Sequence, residues 1–554
     1  MTGGISRRSF VRTTGLGAGI ATTMLARPPR AAARPPALRT PVPSSVALPD
    51  PATIDVADPA RLSAVEAASL LQAKRLHPRE LLEACLRRSA EFDGSLNAWV
   101  RTYPETAYDQ AEQAARRLAS GDAPPICGLP IAMKDVIAAA GLPLTASSRL
   151  LEGNIAAGDA TVWRSLREQG AVLIGHAHTD EFGLTTTCPQ VGNPWDPTAI
   201  VGGSSGGSAA VVAARFAPLA LGVDTGGSLR IPASRCGVSA IKPTFGRVSK
   251  YGVIPVSWSK DHVGTMGQGI ADAALLLSAI AGADRRDPVT LAAPPLPPEG
   301  YPLAPVGGDK PLAGKRFGVG RAAAEALPSE LATLLNRFLD LITRLGGELR
   351  DITMPMEPTG LAMGDAVETG AYHQQWADRI DQYSPASAIA VGTALGALTL
   401  PAADYWKLER DRARYQHEYN QMLNAEQLDA VVLPGAVTDR VPRNISPIEQ
   451  LESQAPVTWA NYTGVPALAL PAGRSAATGL PFGVQLGGRA WAEAELIALG
   501  LELQAADPVW RETPPLRPAP RALPAANITA PGPGPDPTNT DAALPAVTFV
   551  PSTD

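Results

Sequence analysis

Several things are scarce in this 554-residue chain, and each scarcity removes a class of protein. Aromatic residues make up 5% of it, and there are only six histidines and four cysteines. Cys85, Cys127, Cys188 and Cys236 stand far apart, so neither a CxxC-type metal cluster nor a disulfide framework can be read from them. Cys236 lies in an apolar stretch and reads as a small core residue. No apolar run approaches the roughly 20 residues of a membrane-spanning helix, which excludes a multi-span membrane protein. The formal net charge is −5, although the first 33 residues hold five arginines and no acid. The remaining body is therefore acidic and has no attraction for a polyanion, so nucleic acid is not an expected partner. Disorder throughout is excluded by the abundance of Ala, Val, Leu and Ile.

The arginines gather at the start. Ser6-Arg7-Arg8-Ser9-Phe10-Val11 is followed by a weakly apolar stretch from Thr13 to Ala26 and then by Ala31-Ala32-Ala33. A charged start, a short apolar region and a small-residue cleavage site describe a signal peptide over 1–33, and the paired arginines resemble a twin-arginine signal. The expectation is a periplasmic or secreted protein with no other membrane attachment. Since such signals export folded proteins, the cysteines are expected as free thiols. Residues 34–50 read as a Pro-rich linker and 51–512 as the main domain. The last 42 residues, 513–554, hold 11 prolines with no Trp or Tyr, and read as a tail that is disordered or draped over the body.

Within the body, Ser63 and Glu66 form a capping-box pattern that opens a helix to about Ala73. Further helices are expected from Pro78 and over Thr106–Leu118. Short apolar runs at Ala171–Ile174, Leu219–Val223, Val238–Ile241, Phe317–Val319, Ala430–Leu433 and Ala467–Leu470 then alternate with helical patterns. Those patterns cover Ala271–Ala281, Glu330–Leu345 and Glu493–Ala505. The alternation predicts an α/β fold with a largely parallel or mixed sheet covered on both faces. Residues 293–311, rich in Pro and Gly, read as a loop or crossover.

Two Gly/Ser clusters stand out: Gly202-Gly203-Ser204-Ser205-Gly206-Gly207-Ser208, and Asp224-Thr225-Gly226-Gly227-Ser228-Leu229-Arg230. Glycines let the backbone aim successive N–H groups at one point, which suits a phosphate or an oxyanion. A phosphate loop needs Gly-Lys-Ser/Thr, and Gly314-Lys315 is followed by Arg316. An aspartic protease needs a second Asp-Thr/Ser-Gly beside Asp224-Thr225-Gly226, and none exists. Gly202 to Gly206 fits the G-x-S-x-G elbow of α/β-hydrolases, but that fold needs a later histidine. Only His262, His373 and His417 follow, the last in a charged, solvated helical run, and the sequence before the elbow is turn rather than strand. The fourth reading uses Lys134, which sits in the apolar run GLPIAMKDV. Such a lysine either snorkels from a strand end or is a desolvated amine able to accept a proton from serine.

These stretches together resemble the amidase signature family. The resemblance rests on the Gly/Ser-rich core from Gly202 to Pro255, the lysine segment, and the flanks HTDEFGLTTTCPQVGNPWDP and DHVGTMGQ. NYTGVPALALPAG and GLPFGVQLGG add to it near the C-terminus, so that it spans roughly residues 60 to 510. It implies a mixed central β-sheet flanked on both faces by α-helices. It also implies a Ser–cisSer–Lys triad: Ser228 as nucleophile, Ser204 as proton relay on a cis peptide, and Lys134 as base. The N–H groups of Thr225, Gly226, Gly227 and Ser228 would form the oxyanion hole, with an acyl-enzyme and without metal or cofactor.

Supporting roles stay open. Ser205 is either a helix N-cap or a partner of Lys134. Asp224 and Arg230 either support the nucleophile or form a structural ion pair, and Arg230 is alternatively a site for a substrate carboxylate. His176 and His178 read as loop-packing residues rather than metal ligands, and Trp195 as a loop anchor. The substrate pocket is expected from the weakly patterned region Gly360–Tyr405, with Glu368, Tyr372, His373, Trp376 and Tyr383. Its apolar side chains hint at an apolar acyl or aryl group. The implied activity is hydrolysis of linear carboxylic amides, acting as a monomer or homodimer on small molecules. Carbamates, urethanes and aryl-acylamides are the nearest alternatives, and an inactive binding protein on the same scaffold is the alternative of another class. The glutaminase subunit of a tRNA amidotransferase, also in the family, is disfavoured by the export signal and the acidic body.

Overall fold

A computed structural model describes residues 48–452 and 457–524. The expected signal peptide, most of the linker and residues 525–554 of the tail lie outside them. Eleven strands form one sheet: β1 (Trp99–Thr102), β2 (Pro130–Lys134), β3 (Val172–Ala177), β4 (Leu219–Asp224), β5 (Ser239–Lys242), β6 (His262–Gly267), β7 (Arg316–Gly320), β8 (Glu348–Ile352), β9 (Ala430–Pro434), β10 (Ala467–Arg474) and β11 (Pro481–Gly487). Their order is β1-β3-β2-β4-β6-β5-β10-β11-β9-β7-β8. β3, β2 and β4 run parallel, as do β9, β7 and β8, while β6, β5, β10 and β11 join the two groups through antiparallel pairs. The sheet is mixed and flanked on both faces by helices, as the resemblance implied.

Local sequence explains many of the elements. Ser63 and Glu66 make the reciprocal capping box of helix Ala64–Gln72, and Pro78 occupies the first turn of helix Pro78–Leu96, where its missing N–H costs nothing. The central strands β2, β3, β4 and β9 are buried along their whole length, which is why they read as continuous apolar runs rather than alternating ones. Helices Leu361–His373, Pro385–Ala397 and Ala402–Ala425 fill the region that carried little pattern. Residues 293–311 connect helix Ile270–Ile280 to β7, as expected of a Pro/Gly-rich crossover.

Residues 513–524, the start of the Pro-rich C-terminal segment, run over the end of helix Pro78–Leu96. Ala519 N–H donates to Glu91 O, Gly94 N–H to Ala519 O, and Thr102 N–H on edge strand β1 to Pro524 O. Arg521 pairs with the buried carboxylate of Asp93 at 2.5 Å. Among the described residues, no single helix is long and apolar enough to cross a membrane.

Candidate active site

The parallel trio β3-β2-β4 ends at Ala177, Lys134 and Asp224, and the loops leaving these carboxyl ends meet. Open α/β sheets place their ligands at this edge. Lys134 is the last residue of a fully buried strand and is only 2% exposed. Burial lowers its pKa from 10.5 to about 8, because a buried ammonium loses its hydration. Its Nζ lies 2.6 Å from Ser204 Oγ. The Gly203–Ser204 peptide is cis, and Ser204 O accepts from Asp180 N–H at 2.9 Å. The Asp180 carboxylate in turn gathers Thr185 Oγ1, Thr187 N–H and Cys188 N–H, which folds the 180–188 loop around the serine. Gly183 on that loop forms part of the wall. A Cβ there would stand 3.3 Å from Ser204 Oγ and 3.7 Å from Lys134 Nζ.

The second cluster is a turn wound about a buried ion pair. Asp224 and Arg230 bond through two hydrogen bonds of 3.0 Å, both side chains fully buried. Burial alone would raise the carboxyl's pKa, but Arg230 and its hydrogen bonds prevail and hold it well below the usual carboxylate range. Asp224 also accepts the N–H groups of Gly227 (2.9 Å) and Leu229 (3.1 Å), and so fixes the backbone on both sides of Ser228. Gly227 has φ +106°, and a Cβ there would fall 2.1 Å from Val457 Cγ2, so only glycine fits. Ser205 N–H donates to Ser228 O at 3.1 Å and joins the two Gly/Ser loops.

Three expectations change here. The remaining guanidinium donors of Arg230 go to Val457 O (2.8 Å), Gln485 Oε1 (2.6 Å) and Asn461 Oδ1 (2.7 Å). All five N–H groups are taken, so Arg230 has none left for a substrate carboxylate. Ser205 stands at the helix N-cap position without a side-chain capping bond. Nor does it bond Lys134; its Oγ instead donates to Val223 O and accepts from Val223 N–H on β4. Of the four expected oxyanion donors, Gly227 N–H is turned to Asp224. The N–H groups of Thr225, Gly226 and Ser228 have no acceptor among the described residues.

The other candidates fall into place around this centre. His176 lies on β3 rather than in a loop, held by Tyr103 OH (2.6 Å) and Ile137 O (3.0 Å), and His178 is held by Ser147 Oγ (3.1 Å). Trp195 anchors its turn, donating to Cys236 O at 2.9 Å. All four cysteines are buried and unpaired. His262 bonds Lys260 O, His373 bonds Tyr383 OH, and His417 is exposed. None of the six histidines bonds Ser204, Ser205 or Ser228, so the hydrolase elbow has no base. Among the described residues no group of three or more His, Cys, Asp or Glu is arranged to hold a metal ion. Tyr372, His373, Trp376 and Tyr383 pack with Phe182 in a buried aromatic cluster, one residue from Gly183. Glu368 accepts from Ser257, Ser259 and Tyr405.

Sequence reasoning passed over Asp180, Asp261, Asn461 and Gln485, although each sits inside a stretch that carries the family resemblance. Asp180 is in HTDEFG, Asp261 in DHVGT, Asn461 in NYTGVPA and Gln485 in GLPFGVQLGG. For Gln485 the available signal was a polar residue in an otherwise apolar segment; the other three stand among polar neighbours.

The chain is similar to known proteins. A family profile described as Amidase matches residues 80–497, which include both loops and Lys134. A glutamyl-tRNA(Gln) amidotransferase subunit of Neisseria gonorrhoeae is 34% identical over 472 residues, covering 79% of this chain and 96% of that one. The native peptide amidase of Stenotrophomonas maltophilia superposes with a TM-score of 0.69 at 28% identity, covering 80% of this chain and 96% of its own. The corresponding glutamyl-tRNA(Gln) amidotransferase subunit of Thermotoga maritima gives 0.65 at 27% identity, with 86% and 99% covered.

Proposed function

The chain belongs to the amidase family, and on that premise we propose that it hydrolyses linear carboxylic amides to a carboxylate and ammonia or an amine. The observation that carries the reading is the buried Lys134, with its lowered pKa, 2.6 Å from Ser204 Oγ at the edge where the Ser228 turn begins. In the proposed mechanism Ser228 Oγ attacks the amide carbon and its proton passes to Ser204, whose own proton moves to neutral Lys134. A buried amine with a pKa near 8 is neutral often enough at mild pH to accept it. The oxyanion faces the N–H groups of Thr225, Gly226 and Ser228, donors each worth on the order of 3 kcal/mol to such a transition state. Lys134 then returns the proton through Ser204 to the leaving nitrogen, and water hydrolyses the acyl-enzyme by the same relay.

Carbamates and aryl amides suit the same groups, and pocket shape selects among them. A second reading is favoured by the 34% identity to a glutamyl-tRNA(Gln) amidotransferase subunit: release of ammonia from glutamine within a larger assembly. The N-terminal 33 residues, read as an export signal, and the acidic body favour the free hydrolase. Export belongs to the proposal and predicts a mature N-terminus after Ala33.

Peptide mapping after reaction with a fluorophosphonate tests the site. Label on Ser228, lost in Ser228→Ala together with amide turnover, is the expected result. Label on Ser204 or Ser205, or wild-type turnover by Ser228→Ala, overturns it. A panel of anilides, carbamates, peptide amides and glutamine then separates the two readings, and glutamine alone being turned over would favour the second.

A further inference from the structure

The loop Val256–Asp261 stands between the Ser228 turn and the helices Leu361–His373 and Ala402–Ala425. Facing the turn, Asp261 is buried, and its Oδ1 accepts the hydroxyl of Thr225 at 2.5 Å. The same carboxylate closes its own loop, accepting Ser257 N–H at 3.1 Å and Val256 N–H at 3.0 Å. A carboxylate that receives three donors is a stiff anchor, since charge-assisted hydrogen bonds are about twice as strong as neutral ones. Facing the helices, Ser257 Oγ and Ser259 Oγ each donate to Glu368 at 2.7 Å, and Ser259 N–H adds a third bond at 3.1 Å. Tyr405 OH completes the set on Glu368 at 2.9 Å. Thr369 Oγ1 donates to Val256 O and Arg412 Nη1 to Ser259 O, so the loop is tied to both helices along its length. Its first side chain also borders the reacting groups: Val256 Cγ2 would lie 3.1 Å from a Cβ on Gly183.

The turn has two ends. Asp224 and Arg230 hold Gly227 and Leu229, whereas Thr225 and Gly226 get no backbone hydrogen bond from that pair. The Thr225 N–H shares a peptide plane with Asp224 O, which Asn461 Nδ2 holds at 2.9 Å; the hydroxyl of Thr225 on Asp261 adds the restraint on the other side of that plane, at Thr225 itself. We infer that Asp261 is a positioning residue for amide hydrolysis, aiming the Thr225 N–H through the Thr225 hydroxyl, and that Glu368 holds Asp261's loop in place from the helices. The inference rests on the proposed role of the Ser228 turn.

The test compares Thr225→Val, Thr225→Ser, Asp261→Asn, Glu368→Gln and the double variant Thr225→Val/Asp261→Asn with wild type on one small anilide. Thr225→Val keeps the side-chain shape without the hydroxyl, and Thr225→Ser keeps the hydroxyl without the methyl. Expected are kcat falling at least tenfold in Thr225→Val and Asp261→Asn, with KM within twofold and the thermal midpoint held. Thr225→Ser should recover most of kcat, and the double variant should be no worse than the worse single, because one link is broken twice. A smaller fall of kcat in Glu368→Gln is expected, and an unchanged kcat there overturns the outer link. An unchanged kcat in Thr225→Val, or multiplying losses in the double variant, overturns the inference as a whole. Ser228→Ala is run alongside. Its retention of turnover would refute the Ser228 reading itself, a result distinct from an inactive Ser228→Ala beside a fully active Thr225→Val.

Discussion

Replacing Lys134 by methionine separates what the amine costs the fold from what it does for the reaction. Its side chain is buried at the end of β2, and burial moves its pKa from 10.5 to about 8. At about 1.4 kcal/mol per unit, that displacement is a penalty of about 3 kcal/mol on the folded state. The sign follows from proton counting. Below pH 8 folded and unfolded chains both hold the proton, and the whole penalty weighs against folding. Between about pH 8 and 10.5 the unfolded chain binds more protons than the folded one, so stability rises with pH, and above that range the penalty is gone. Methionine has a similar length and no charge. It forfeits the contact with Ser204 Oγ, worth about 1 kcal/mol. Lys134→Met should therefore gain about 2 kcal/mol at pH 7 and almost nothing at pH 9.5, where only about 1 kcal/mol of the penalty survives to cancel the lost contact.

The same pKa governs turnover. With half the sites neutral near pH 8, about a tenth are neutral at pH 7, so kcat/KM for a non-ionising anilide should climb about tenfold from pH 6 to 7, about fivefold from pH 7 to 8, and level above about pH 9. Urea unfolding at pH 7 and 9.5, with a pH profile from 6 to 9.5, measures both arms. Lys134→Met should be more stable than wild type at pH 7 and catalytically silent, the usual exchange between stability and activity. A variant less stable than wild type at pH 7 would refute the burial argument. One that keeps more than a tenth of turnover at pH 9, or a wild-type limb near pH 6.5 that vanishes with a single His→Ala change, would refute lysine as the base.

Other perturbations probe the surroundings. Asp224→Asn leaves Arg230 charged and unpaired in the core, and unfolding by urea should show a loss of about 3–5 kcal/mol. Because the Asp224 carboxyl sits well below its usual range, the pair's contribution is complete above about pH 4, and it should fade as the pH falls further. Gly183→Ala places a methyl 3.3 Å from Ser204 Oγ at a φ of +81°. Turnover should drop at least about tenfold, since small misplacements at a reacting centre are costly, while circular dichroism stays native. Truncation after Glu512 removes Arg521 from the buried Asp93 carboxylate, whose Oδ1 accepts Ala98 N–H at 2.7 Å. The truncated protein should unfold at lower urea, and Arg521→Gln should reproduce a large part of that loss; equal midpoints for all three proteins would show that residues 513–524 add no stability.

What could be read from the residues, and what could not, divides by the distance over which a feature is determined. The capping box at Ser63, the buried runs of β3, β4, β9 and β10, and the two Gly/Ser clusters are each written within a few residues, and each was legible. β6 was not, because His262–Gly267 carries glycines where a strand prefers branched side chains. The structure gives the reason: a Cβ on Gly264 would fall 2.3 Å from Ile241 O, and one on Gly267 would fall 2.3 Å from the Asp272 Cβ. These glycines record close packing of neighbours, not a turn. β8 was hidden for the opposite reason, as an edge strand whose charged residues face solvent.

The site divides in the same way. The flanks of Lys134 left a snorkelling side chain or a desolvated amine, and its burial in the sheet decides for the second; the state of Arg230 is likewise set by residues more than 200 positions away. Its local sequence allowed either an ion pair with Asp224 or an anion-binding cation. Val457, Asn461 and Gln485 decide between them, since they take every N–H that Asp224 leaves. The rigidity of the Ser228 turn is thus supplied by β11 and by the segment before β10, and not by the glycine-rich motif alone. A motif can name the atoms that react. What holds those atoms in place is the long-range packing that brings Asn461, Gln485 and Asp261 to the turn, and no window of the sequence contains all three.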